Sequence, residues 1–71
     1  MKTAAEKLLA TARADSPDRP SGIARVRTTN GHAVVTWDRV NKSYDVGTDA
    51  QSLVQGKRAA VLPTLEKLLA A

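Results

Sequence analysis

Apolar residues recur along the chain at two different spacings, and each spacing names an element. Near the N-terminus Ala5, Leu8, Leu9 and Ala12 fall at i, i+3, i+4 and i+7, a single stripe of an α-helix. Thr3 and Glu6 stand three apart at its start, the spacing of a capping box, so the pattern predicts a helix over residues 3–14. Residues 15–22, DSPDRPSG, hold two prolines and no apolar side chain. Proline lacks an amide donor and biases the residue before it away from helical geometry, which predicts a connector.

From residue 23 the period changes to two. Asn30-Gly31 suits the positive φ angles of a two-residue hairpin turn, with Thr29 opposite His32 and Ala24 opposite Trp37. Alternation then puts Ala24, Val26, Ala33, Val35 and Trp37 on a core face. Ile23, Arg25, Arg27, Thr29, His32, Val34, Thr36 and Asp38 fall on the solvated face. A third strand follows over residues 43–46. A four-residue loop at 39–42 sets Tyr44 opposite Trp37 and Val46 opposite Val35; a three-residue loop would bury Asp45 at a cost of several kcal/mol. The expectation is an antiparallel β-meander over residues 23–46.

After Gly47, Thr48 and Gln51 repeat the capping-box spacing, which predicts a helical segment over residues 49–70 with Leu53 and Val54 buried. Gly56 weakens it, and Pro63 ends or kinks it before the Leu65, Leu68 and Leu69 stripe. The fold expected is therefore α+β: an N-terminal helix, a three-stranded antiparallel meander, and a C-terminal kinked helix or helix pair packed on one face of the sheet. Residues 1–71 make one small domain. EKLLA occurs at residues 6–10 and again at 66–70; chance accounts for it in a chain so rich in Ala and Leu, and the weaker alternative is that the two terminal helices pack side by side across the sheet.

This order of elements resembles that of double-stranded RNA-binding domains. Those domains carry a Gly-Pro-x-His turn after the first strand and a Lys-Lys pair opening the last helix. Here Gly31-His32 lacks the proline, and an extra helical stretch precedes Lys57-Arg58, so the resemblance is one of element order and not of motif.

Composition narrows the picture. Of the apolar residues twelve are Ala and none is Phe, leaving seven Leu, seven Val, Ile23, Trp37 and Tyr44 as large core candidates. So thin a core leaves only a few kcal/mol of net stability, and makes a homodimer or a covering partner attractive. No Cys is present, so neither a disulfide nor a thiolate metal site is available. No stretch approaches the roughly 20 apolar residues of a membrane span. Glu6 and Lys7 interrupt MKTAAEKLLATAR before a signal-peptide core can form, and the expectation is a cytoplasmic protein with no membrane partner.

Eleven Lys and Arg against seven acids give a net charge of +4, which favours an acidic partner, either a nucleic acid or a larger protein with an acidic patch. Catalytic chemistry finds no constellation. His32 is the one histidine and has no acid placed to orient it, and the serines lack a local base. Gly56-Lys57 is not a phosphate loop, because position 51 is Gln and Arg58 stands where Ser or Thr belongs. No metal-ligand spacing occurs, so neither an enzyme nor a cofactor is expected. Asp38 and Asp45 share the solvated face with Arg25, which fits cross-strand ion pairs.

The candidate binding residues are Arg25, Arg27, His32 and Val34 on the sheet, Arg39 and Lys42 in the second turn, and Lys57 with Arg58. Trp37 and Tyr44 fall on the core face and are removed as a base-stacking platform, so a nucleic acid would be held by its phosphates. Val34 and Ile23 among the arginines suit a protein interface with an apolar centre. The function expected is a small non-enzymatic protein-binding regulator or inhibitor docking through the basic sheet face. A phosphate-contacting nucleic-acid-binding module is the alternative.

Overall fold

The computed structural model describes residues 2–15, 18–29 and 31–70. Helix α1 runs Ala4–Ala14 and starts as its sequence dictates. The Thr3 hydroxyl accepts from the Glu6 amide at 3.2 Å, and the Glu6 carboxylate accepts from the Thr3 amide at 3.0 Å. Two amides that the first turn leaves without helical partners are thereby satisfied. The expected stripe of Ala5, Leu8, Leu9 and Ala12 is the buried face.

Four antiparallel strands follow in chain order: β1 Ser21–Thr28, β2 Gly31–Asp38, β3 Ser43–Thr48 and β4 Ser52–Gly56. The second hairpin has the expected register, Trp37 opposite Tyr44 and Val35 opposite Val46. The Trp37 and Tyr44 rings meet with centroids 4.7 Å apart, tilted by 49°. The first hairpin corrects the sequence reading. Gly22 pairs with Trp37 and Thr28 with Gly31, a slip of two residues from the expected Ala24–Trp37 and Thr29–His32 pairs. Side-chain alternation has a period of two, so such a slip leaves every residue on its expected face and the hydrophobic pattern cannot detect it. Asn30, the first residue of the expected Asn30-Gly31 turn, lies outside the described residues.

The larger correction is β4. Residues 52–56 form a strand where a helix was expected. The Thr48 hydroxyl does accept from the backbone amides two and three residues on, Ala50 at 3.2 Å and Gln51 at 3.4 Å. The Thr48 amide, however, donates to the Gln51 carbonyl at 2.9 Å, closing a hairpin turn instead of opening a helix. The same side-chain bonds serve both structures. Gly47 decides the path: a Cβ there would lie 2.3 Å from the Gln51 carbonyl oxygen, so only glycine lets the returning strand come so close. A β-bulge between Val46 and Gly47 absorbs the irregular register.

Helix α2 then runs Arg58–Ala70 as one helix, its first turn held by the Lys57 carbonyl, which accepts from Ala60 and Val61. Pro63 lies inside it, and both Pro63 and Ala59, whose carbonyl loses a helical donor, are exposed. The fold is thus α+β, with both helices on one face of a four-stranded sheet. α1 lies over β1 and β2, α2 over β3 and β4, and the helices touch each other. Between the layers sit Leu9, Val35, Val46, Val61 and Leu65, all fully buried. Val26 shares the core face of β1 but is 38% exposed. No helix among the described residues is long and apolar enough to cross a membrane.

Candidate docking surface on the open sheet face

Because both helices cover one side, the other side of the sheet is open, and the strand registers arrange it in rungs. One rung reads Ile23, Thr36, Asp45 and Gln55 across the four strands. The next reads Arg25, Val34, Gly47 and Ser52. Beyond it Arg27 stands opposite His32, whose Nδ1 lies 2.7 Å from the Asp49 carboxylate. At the other end Ser21, Asp38 and Ser43 line up.

The two-residue slip changes the electrostatics of this face. Arg25 moves one rung away from Asp38 and Asp45, and the expected cross-strand ion pairs do not form. Neither Arg25 nor Arg27 has an ion pair or side-chain hydrogen bond with a described residue. The carboxylates are engaged elsewhere. Asp38 accepts from the Asn41 amide at 3.1 Å, the Asn41 side chain at 2.8 Å and the Val40 amide at 3.0 Å. These bonds, the Asn41 amide foremost, hold its carboxyl below the usual aspartate range. Asp45 accepts from Ser52 at 2.5 Å and from Gln55 at 2.9 Å. Around these two acids lies an open polar hollow of about 280 Å³, bounded also by Ser21, Thr36, Asn41 and Ser43. Among the described residues no three His, Cys, Asp or Glu side chains converge as metal ligands.

The face is therefore two-toned: basic along β1, acidic at the Asp38 end of β2, along β3 and at the Asp49 turn. Ile23, 49% exposed, and half-buried Val34 lie within the basic half, diagonal to each other on neighbouring strands.

The remaining candidates do not join this group. Arg39 and Lys42 sit in the β2–β3 turn at the far end, where Lys42 has φ of 54° and Val40 is 76% exposed. Lys57 reaches that turn through an Nζ bond of 3.4 Å to the Lys42 carbonyl. Arg58 belongs to the helical layer, where its guanidinium pairs with Glu6 and ties the start of α2 to the start of α1. The sequence reading grouped Arg58 with Lys57 because they are adjacent; the helix start between them separates their directions. Sequence reasoning also missed Asp49, Ser52 and Gln55, all of which depend on β4 being a strand. Compared with protein families, with curated proteins and with solved structures, the chain finds no match.

Proposed function

We propose that the chain is a small non-enzymatic protein-binding module, a regulator or inhibitor that docks through the β1–β2 half of its open sheet face onto an acidic patch of a larger protein. One observation carries this reading: exposed Ile23 and half-buried Val34 form an apolar centre beside Arg25 and Arg27, two guanidiniums without ion partners among the described residues. An apolar centre with a charged rim suits a protein interface. Phosphate contacts would gain little from Ile23 and Val34, which favours a protein over a nucleic acid.

The test pairs two measurements. Quantitative capture from a cell extract compares the wild type with Val34→Asp, and anisotropy titrations use duplex and single-stranded oligonucleotides at low and high salt. The reading expects a partner retained by the wild type and lost with Val34→Asp, with no oligonucleotide binding even at low salt. Salt-sensitive oligonucleotide binding that disappears in an Arg25→Ala/Arg27→Ala double variant would transfer the face to nucleic acid. Circular dichroism on Val34→Asp separates a lost contact from a lost fold.

A further inference from the structure

The open face ends at β1, which among the described residues pairs with β2 alone and leaves its other edge unpaired. Which backbone groups that edge offers follows from the ladder. The Arg39 amide donates to the Pro20 carbonyl at 3.0 Å, extending the β1–β2 pairing by one more hydrogen-bonded pair. Hydrogen-bonded pairs alternate along an antiparallel ladder, so Gly22, Ala24, Val26 and Thr28 direct their backbone groups at β2. Ser21, Ile23, Arg25 and Arg27 direct theirs outward. The Ile23 amide is already taken by the Asp15 carboxylate at 3.1 Å, and Asp15 is itself paired with Arg19 at 3.2 Å. Asp15 thus blocks one end of the edge and leaves the amides and carbonyls of Arg25 and Arg27 open. Those two residues also carry the guanidiniums on the open face, while Val26 between them shows 38% of its surface on the other.

We infer that this edge is a strand-docking site for an extended acidic segment of the partner protein, with a carboxylate opposite each of Arg25 and Arg27 and an apolar residue between them beside Val26. The inference rests on reading the basic stripe as a protein-docking surface and specifies how the partner is held. Opposed residues of an antiparallel pair share a face, so acids at i and i+2 meet the two arginines while residue i+1 falls on the side of Val26. Main-chain hydrogen bonds supply affinity and the alternating side chains supply specificity. Charge selects the occupant. A second copy paired through its own β1 would gather four guanidiniums on one face, and charge on an edge strand is a means of refusing self-association. The same charge attracts an acidic strand.

The probe is an eight-residue peptide alternating glutamate and valine, with two variants N-methylated either at the glutamates or at the valines. Glutamates opposite Arg25 and Arg27 use their own amides to pair with β1, whereas the valine amides point away from it. Hydrogen exchange followed by NMR should show the Arg25 and Arg27 amides slowing by about tenfold or more when the unmodified peptide is added. Methylation at the glutamates should abolish binding, methylation at the valines should preserve it, and Arg25→Glu/Arg27→Glu should lose it. Equal binding of the two methylated peptides, or unchanged exchange at Arg25 and Arg27, overturns edge docking while leaving face docking in place. Protection of those amides in the peptide-free protein, with a dimer mass on sedimentation, overturns it in favour of a second copy. Protection by an oligonucleotide instead of the peptide overturns both this inference and the protein-docking reading.

Discussion

Gly47→Ala is the most direct test of how the open face is completed. A Cβ at this position would stand 2.3 Å from the Gln51 carbonyl oxygen and 2.8 Å from the Ser52 Cα. Ordinary carbon–oxygen contact needs about 3.4 Å, so the turn must retreat by about 1 Å. Both obstructing atoms are backbone, and Gly47 is buried, so no side-chain rotation relieves the clash. Overpacking of this kind costs about 1–3 kcal/mol, and an immovable neighbour puts it near the upper end. With so thin a core total stability is roughly 3–5 kcal/mol, so the variant should keep little margin for folding. With a urea m-value of about 1 kcal/mol/M, a loss of 2–3 kcal/mol lowers the midpoint by roughly 2–3 M. Exchange at the Val54 and Gly56 amides, which face β3, should accelerate more than exchange in β1, because β4 is the strand displaced. An unchanged urea midpoint with unchanged exchange in β4 would refute the close approach, and with it the hairpin at residues 47–56.

Other substitutions probe the layers beneath that face. Leu65→Ala empties a fully buried position and should cost about 2–5 kcal/mol, read as a fall in Tm of at least roughly 8 °C; a smaller change would mean α2 is not docked as described. Pro63→Ala restores an amide to the α2 interior at an exposed site and should stabilise by about 2 kcal/mol after the unfolded chain's gain in entropy, and a loss of stability in urea would contradict it. Bonds to the Glu6 carboxyl, the Thr3 amide first and then the Thr3 hydroxyl and Arg58, hold it below the usual glutamate range. Its contribution is complete above the ordinary glutamate pKa and is lost as pH falls through the lowered folded value, so the stability gap between wild type and Glu6→Gln should shrink in acid. A gap constant from neutral pH to acid would remove the carboxylate from the capping box.

Local chemistry and side-chain periodicity made most of the architecture legible. α1 follows from Thr3, Glu6 and one apolar stripe, and the second hairpin from the cost of burying Asp45. The faces of β1 and β2 were readable from alternation, but their register was not, since a slip of two residues leaves every side chain on its face. β4 stayed hidden because Thr48 forms the same short-range bonds in a turn as at a helix start, and because adjacent Leu53 and Val54 suit either element. The discriminating signal is steric and non-local: the near contact of Gly47 with Gln51 exists only once the hairpin has closed. The candidate site divided for related reasons. Arg25, Arg27, His32 and Val34 share a face through strand parity, whereas Arg58 turns to Glu6, a partner 52 residues away that no local pattern announces.

Strand order in the sheet coincides with strand order in the chain, and that sets the sequence in which the molecule can assemble. Each strand pairing closes a short loop, and loop closure becomes costlier only slowly with length, by about 0.6 kcal/mol for each doubling. Hairpins of this kind form in about 1–10 μs, without waiting for remote parts of the chain. The contact between α1 and α2, fastened by Glu6 and Arg58, spans most of the sequence and bears the largest closure cost. Local strand pairing of this type favours rapid closure of the hairpins and brief exposure of unpaired strands. The β1–β2 hairpin that carries Arg25 and Arg27 therefore closes one of the shortest loops in the fold, whereas the α1–α2 contact closes one of the longest.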